Sequence, residues 1–358
     1  MAEVFRTMTE GHEGVYFAAD PESGLRAIIA VHSTRLGPAL GGTRFLRYPT
    51  EQAALTDALD LAAAMTYKAA AAGLELGGGK AVIMADPSTA KTPELLAAYG
   101  RAVNALGGRY ITAEDVGTTV DDMVVVHTTT PHVAGLPLDL GGSGDPSPAT
   151  AAGVFAAMRA VAQHLWESPD LSGRRIAVQG VGKVGSALVR ILVEEGCDVV
   201  VGDVASEATA AVVASHDVAV LPPDEVITAE CDILAPCALG GVLREESIPL
   251  LGCGAVVGSA NNQLRSKPLA EAIRARGITY APDFVVNAGG IINISEEVGG
   301  YSNASALREV SKIEQTLTEI LQSASEAGTT PLQAAIARAN ERLNHSPQPD
   351  EPVLETRV

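Results

Sequence analysis

Between Glu51 and Tyr67 the apolar residues Leu55, Ala58, Leu59, Ala62 and Met65 recur at helical spacing, which predicts a helix with one buried face. Residues 24–32 and 80–85 are short apolar runs and read as strands, the second ended by Asp86-Pro87. Thr92-Pro93-Glu94 opens another helix, with threonine at the cap and proline in the first turn. Residues 110–113 read as a strand running into Glu114-Asp115-Val116-Gly117. The segment 134–148 is rich in glycine, proline and serine and is the best linker candidate. A helix is predicted over 149–165, and short apolar strands then alternate with helices. That alternation marks a parallel sheet covered on both faces. A long helical pattern over 304–327 is stopped by Gly328, and Thr330-Pro331 begins one more. The fold class expected is α/β, and a length of 358 residues suggests two domains. They are placed at 1–148 and 149–329, with 346–358 as a disordered tail.

Composition narrows the function classes. The chain is 47% hydrophobic and 19% charged, so a large core can form, and with 4% aromatics that core is aliphatic. A net charge of −18 argues against nucleic acid or an anionic membrane as partner. No apolar run reaches the roughly 18 residues of a membrane span. Met1-Ala2-Glu3-Val4-Phe5-Arg6 lacks a signal pattern, so a cytoplasmic location is expected. Cys197, Cys231, Cys237 and Cys253 form no C-x-x-C pair and read as buried free thiols. The histidines are scattered, and no metal site is expected.

Two features carry candidate chemistry. The first is Gly77-Gly78-Gly79-Lys80, which follows Lys68 in a nearly uncharged stretch. A lysine in such surroundings must find a carboxylate or give up its proton. Made neutral it is a general base, and kept charged it binds a carboxylate; the plain alternative is two surface lysines on an alanine-rich helix and the next strand. The glycines let backbone come close, either to the rest of the fold or to a bound molecule. The second feature is a strand over 174–179, then Gly180-Val181-Gly182-Lys183-Val184-Gly185, a helix over 186–195, and a strand over 198–202 ending at Asp203. Here the glycines serve a tight turn, approach to a pyrophosphate, and close helix–strand packing. The helix N-terminus favours the phosphates, and Asp203 suits the adenosine ribose hydroxyls. An acid there repels a 2′-phosphate, so NAD is expected rather than NADP. Cys237-Ala238 and Ala260-Asn261-Asn262 follow later strands and so belong along the cofactor crevice, or in plain turns.

These stretches, with 36–44, 65–80, 112–118, 235–238, 261–264 and 280–290, occur in one order along residues 12–340. The chain thereby resembles the glutamate/leucine/phenylalanine/valine group of amino-acid dehydrogenases, most closely the leucine and valine members. The resemblance implies an N-terminal α/β domain carrying substrate and catalytic groups, a Rossmann domain, and a cleft between them. It also implies that C-terminal helices near 330–345 return to the first domain, and that the protein is a homo-oligomer. The reaction implied is reversible: an L-amino acid, NAD+ and water give a 2-oxo acid, ammonium and NADH. By resemblance Lys68 binds the substrate carboxylate, Lys80 is the base that activates water, and Asp115 exchanges protons with the substrate nitrogen. Gly41 and Gly42 let backbone approach the substrate, and Asn262 holds the carboxylate or the cofactor. Ser147, Thr150 and Asn287 meet the nicotinamide.

By the same resemblance the side-chain pocket is walled by Leu40, Met65, Ala113, Ile291 and Ile294. All are apolar, so a glutamate side chain would be desolvated there without a partner. Leu40 and Ile291 are larger than the groups expected for a benzyl side chain, so valine, leucine or isoleucine is expected. Phenylalanine dehydrogenase is the close alternative, and a catalytically silent NAD-binding regulator is the alternative of another class.

Overall fold

The structure, a computed structural model, describes residues 11–345. The expected tail at 346–358 and the N-terminal reading at Met1 to Arg6 lie outside them. Two compact units emerge. One takes the described residues up to Pro137 and those from Ala339 onward; the other is Leu138 to Arg338. Residues 138–148, expected with the first domain, thus group with the second.

The first unit is built on a five-stranded mixed sheet in the order β1-β2-β4-β3-β5. Its strands are β1 (Gly14–Asp20), β2 (Leu25–Ser33), β3 (Ala39–Leu46), β4 (Gly77–Met84) and β5 (Tyr110–Glu114). Its helices are α1 (Glu51–Ala71), the single turn α2 (Pro87–Ala90), α3 (Pro93–Asn104) and α4 (Val120–His127). β2 shows why its run is apolar without alternation. Ala27, Ile29 and Val31 enter one core with Leu95, Tyr99, Met123 and Val126. Ile28 and Ala30 enter another with Ala54, Ala58, Leu59 and Ala62 of α1. Both faces of the strand are covered, so both must be apolar. Thr50 caps α1 and Thr92 caps α3 through their side chains, as polar residues at N-caps do.

Two details differ from the sequence reading and bear on the site. α1 runs on to Ala71, so Lys68 sits in its last turns. β4 begins at Gly77, so the glycine triplet lies inside the strand. A Cβ at Gly77 would fall 1.8 Å from Ser33 O, at Gly78 2.1 Å from Thr66 N, and at Gly79 2.7 Å from the Tyr110 ring. The triplet lets β2, α1 and Tyr110 press onto this strand, which resolves its role in favour of packing.

The second unit holds a six-stranded sheet in the order β11-β10-β9-β6-β7-β8, parallel throughout. The strands are β6 (Arg175–Gln179), β7 (Asp198–Gly202), β8 (Ala219–Val220), β9 (Cys231–Pro236), β10 (Cys253–Val256) and β11 (Thr279–Tyr280). The helices are α5 (Ser147–Trp166), α6 (Lys183–Glu194), α7 (Ser206–Ser215), α8 (Leu269–Ala275), α9 (Asp283–Val286), α10 (Gly289–Ser295) and α11 (Asn303–Ala327). The order reverses beside β6, the switch point of a doubly wound sheet, where ligands bind beyond the strands' carboxyl ends. α12 (Pro331–His345) then returns to the first unit, where Arg342 bonds Ala70 O at the end of α1 and Glu75. No helix among the described residues is long and apolar enough to cross a membrane. All four cysteines are free thiols; only Cys253 is fully buried, the others being half-buried rather than buried as expected.

Candidate active site

In the first unit the chemistry gathers on the sheet face that packs against α1. Strand alternation sets this up. Ala81 and Ile83 of β4 point into the core with α3 and α4, while Val82 points toward α1; by the same period Lys80 faces α1. β3 lies parallel to β4, and the pairs Leu40↔Gly78 and Thr43↔Ala81 bracket Gly41-Gly42 against Gly79-Lys80. On its other side Gly42 pairs with Ala113 of β5. A Cβ on Gly41 would fall 1.8 Å from Gly79 O, and one on Gly42 2.8 Å from the Asp115 Cβ. Glycine is required here by neighbouring backbone and by Asp115 itself.

Lys80 is only 6% exposed, and its Nζ lies 2.6 Å from Asp115 Oδ2. Asp115 follows β5 in a tight turn. Thr118 N–H donates to Asp115 O at 2.9 Å, and Asp115 N–H donates to Thr118 Oγ1 at 2.8 Å. Gly117 in this turn has φ +83°, and a Cβ there would strike Phe45 O at 1.8 Å, so only glycine allows it. Burial lowers the Lys80 ammonium below the ordinary lysine value, against the opposing pull of Asp115; Arg44 lowers it further. Burial alone would raise Asp115, but the Lys80 and Arg44 charges outweigh it and hold the carboxyl below its usual range. The pair is a carboxyl held below its usual range beside a buried ammonium lowered from the ordinary lysine value. Met65 reaches toward Gly41, and Lys68 follows it by three residues, on the same side of α1. The structure therefore brings Leu40, Gly41, Gly42, Met65, Lys80, Ala113 and Asp115 together, with Lys68 on the helix above them.

The sequence reading missed Arg44. Its Nε lies 3.2 Å from Asp115 Oδ2, and its Nη1 donates to both oxygens of Asp57 at 3.2 and 3.0 Å. Tyr48 donates to Asp57 Oδ2 at 2.5 Å. The available signal was an arginine between Thr43 and Phe45 in a strand, facing an aspartate on an otherwise alanine-rich helix face.

In the second unit the three glycines have different surroundings. Gly180 has φ +94° and a Cβ there would meet Ala238 at 2.6 Å, while one on Gly185 would fall 2.0 Å from Gly180 O. At Gly182 a Cβ would meet nothing within 4 Å, so that side is open. α6 begins at Lys183 without a side-chain cap, leaving its first N–H groups for another acceptor. Val184 lies in that first turn. Asp203 accepts from Val181 N–H at 2.7 Å and Ala205 N–H at 2.8 Å, which fixes its carboxylate at the glycine turn with lone pairs to spare. Lys183 Nζ lies 3.9 Å from Asp145, whose other oxygen caps Ser147 N–H at 2.9 Å.

Beyond β10, Asn287 donates through Nδ2 to Ser259 O at 3.1 Å and Asn261 Oδ1 at 2.8 Å. Its own Oδ1 is buried with no partner among the described residues, an unmet acceptor that needs a donor. Ala260 O accepts from the fully buried Gln263, another residue the sequence reading passed over. Asn262 takes φ +52°, a left-handed conformation that asparagine adopts more readily than other side-chain-bearing residues. The N-terminal turn of α5 carries Ser147 and Thr150; Thr150 spends its hydroxyl on Pro146 O. A Cβ on Gly290 would strike Thr150 Oγ1 at 2.9 Å, so α10 packs onto this turn. Ile291 and Ile294 lie on α10, the first buried and the second half-buried. Cys237 N–H is bonded to Gln179 O at 2.7 Å, next to Ala238. An open glycine, an uncapped helix start, a fixed acid and an unmet acceptor fit a dinucleotide.

A doubly wound sheet with such a turn defines an α/β protein of the dinucleotide-binding class, and the other unit carries a buried lysine–aspartate pair. Residues 12–132 match the family described as Glu/Leu/Phe/Val dehydrogenase, dimerisation domain. Residues 141–203 and 201–345 match Glutamate/Leucine/Phenylalanine/Valine dehydrogenase. The chain is 45% identical over 354 residues to leucine dehydrogenase of Geobacillus stearothermophilus, covering 99% of this chain and 96% of that one. It is 48% identical over 344 residues to valine dehydrogenase of Streptomyces virginiae, covering 95% and 96%. The crystal structure of L-tryptophan dehydrogenase from Nostoc punctiforme superposes with a TM-score of 0.84 at 42% identity, covering 96% and 99%. The chain belongs to the glutamate/leucine/phenylalanine/valine dehydrogenase family, and it is an amino-acid dehydrogenase, an oxidoreductase of the kind that works with a nicotinamide cofactor.

Proposed function

We propose that the protein catalyses the reversible, NAD-dependent oxidative deamination of a branched-chain aliphatic L-amino acid. The observation that carries this reading is the buried Lys80 at 2.6 Å from an ionised Asp115. Two relatives, named leucine and valine dehydrogenase, support the substrate class. When bound, the nicotinamide ring supplies the acceptor for the substrate's α-hydride. Gly180 to Gly185 would hold the pyrophosphate and Asp203 the adenosine ribose, and Asn287 Oδ1 would accept from the carboxamide. Ser147, Thr150, Cys237, Ala238, Ala260 and Asn261 line the same cofactor, and Asn262 meets it or the substrate carboxylate. Lys68 stays charged and holds that carboxylate.

Loss of hydride leaves the substrate as an electrophilic iminium, and water must be deprotonated to add to it. Lys80, lowered by burial, takes that proton. Asp115, kept ionised by its cations, takes a proton from the substrate ammonium before the hydride leaves and returns it to nitrogen after water has added, so that ammonia leaves as the 2-oxo acid forms. Leu40, Met65, Ala113, Ile291 and Ile294 supply apolar contacts for an aliphatic side chain. Assembly as a homo-oligomer follows the family's description of residues 12–132 as a dimerisation domain. The same fold serves a tryptophan dehydrogenase at 42% identity, which favours an aromatic substrate as the second reading.

A panel of L-amino acids with NAD and with NADP, followed by absorbance of the reduced cofactor, tests the proposal. Highest kcat/KM with valine, leucine or isoleucine and NAD supports it. A preference for phenylalanine or tryptophan replaces the substrate class, and no turnover with any amino acid overturns the reading.

A further inference from the structure

We infer that Arg44 is a positioning residue for the Lys80–Asp115 pair, a second cation on Asp115 that is clamped in place by Asp57 and Tyr48. The inference rests on the reading of Lys80 as the base. Lys80 Nζ and Arg44 Nε touch the same oxygen, Asp115 Oδ2, at 2.6 and 3.2 Å. Only one of the two cations can lose its charge, since a guanidinium keeps its proton throughout the working range. Asp57 takes Nη1 of Arg44 with both oxygens, and Tyr48 donates to Asp57. All four side chains are largely enclosed: those of Arg44, Asp57 and Asp115 are 22%, 27% and 22% exposed, and Tyr48 is half-buried. Burial and the bond to Asp57 push the Tyr48 phenol up, so it remains a donor.

The charges explain what the arrangement does. With Arg44 present, a neutral Lys80 leaves Asp115 still paired. Without Arg44, the charges of Asp115 and Asp57 would act on Lys80 without the opposing guanidinium, and Lys80 would grip its proton more tightly. Arg44 lowers the Lys80 ammonium and Asp57 raises it, so removing the two should act in opposite senses. The titratable groups around Lys80 are thus Asp115 after β5, Arg44 on β3, Asp57 on α1 and Tyr48 beyond β3. Lys68 on α1 and Glu114 on β5 stay unchanged in every variant below.

The test has two readouts. The first is the pH profile of kcat/KM for deamination in Arg44→Gln, Arg44→Lys and Asp57→Asn. In Arg44→Gln the acidic limb should move to higher pH, costing about tenfold at a pH below the limb and little above it. Arg44→Lys should restore most of the profile, and Asp57→Asn should move the limb the other way. The second readout is an NMR titration of 13C-lysine in the cofactor-free protein. Lys68, Lys80, Lys91, Lys183, Lys267 and Lys312 are few enough to assign by substitution. The Lys80 transition should rise in Arg44→Gln and fall in Asp57→Asn. A limb and a transition that stay put while kcat drops uniformly would make Arg44 merely structural and overturn the inference. Should Arg44→Gln fail to fold, an unmoved Lys80 transition in Asp57→Asn overturns it equally. Full activity in Lys80→Ala would instead sink the underlying reading, which the titration, needing no turnover, does not depend on.

Discussion

The lysine-bearing unit and the glycine-turn unit solve opposite problems. In the first, charged side chains are forced onto a covered sheet face and made useful by one another: Lys80, Asp115, Arg44 and Asp57 form a chain of contacts of 2.6 to 3.2 Å. In the second, few side chains act. Its turn presents backbone N–H groups, an open Gly182 and one fixed acid. The difference teaches what each half can tolerate. The first should be sensitive to charge at constant shape, and the second to added shape at constant charge.

Asp115→Asn probes the first half most severely. It keeps the outline and removes the charge that Lys80 and Arg44 share. Deamination should fall about 10²–10⁴-fold, with NAD affinity by fluorescence titration unchanged. Retained turnover would break the contrast at once. Asp203→Ala removes the carboxylate fixed at the glycine turn of the second half. KM for NAD should rise about 10–100-fold, as expected for hydrogen bonds to a charged group, and an unmoved KM would remove Asp203 from the ribose.

Gly182→Ala and Gly185→Ala sharpen the contrast between packing and ligand approach. At Gly185 the new Cβ meets Gly180 O at 2.0 Å, so thermal unfolding should show a loss of about 1–3 kcal/mol. At Gly182 it meets nothing, so stability should hold within about 0.5 kcal/mol while NAD binding weakens. Equal destabilisation by both would deny that Gly182 is open for a ligand.

The smallest effect concerns His32, which packs edge-on to His12 at 4.7 Å and bonds Thr66 of α1 at 2.9 Å. Burial, then the charge of His12, lowers it from 6.5 to about 4, against a small opposing pull from Glu13. The folded state therefore binds fewer protons than the unfolded chain between these values. The stabilisation is fully present above 6.5 and is lost as pH falls toward 4. The slope is at most about 1.4 kcal/mol per pH unit, and less with partial solvent screening. His32→Gln should flatten the fall in Tm between pH 7 and 4; an unchanged fall would assign it to other groups.

The same contrast explains what could be read in the sequence. Arg175 to Asp203 is one strand–turn–helix–strand unit, so spacing alone carried its geometry, and the structure has the same elements in the same order. The first unit's site is spread over Arg44, Asp57, Lys80 and Asp115. Its contacts depend on β4 lying between β2 and β3, an order that no local pattern encodes. Lys80 and Asp115 were found through neighbouring motifs and family resemblance. Arg44 has no such flag, because an arginine in a strand ordinarily marks an exposed position. The glycines before Lys80 were legible as a close approach, but which partner approaches was decided only by Thr66, Ser33 and Tyr110.

The central claim is that Lys80, buried and lowered, is the base of the reaction while cofactor binding belongs to other residues. Lys80→Ala, assayed for deamination and for NAD binding by fluorescence titration, tests it most directly. The account predicts turnover reduced by at least about 10²-fold with the NAD dissociation constant unchanged. Turnover equal to that of the unaltered protein would contradict it.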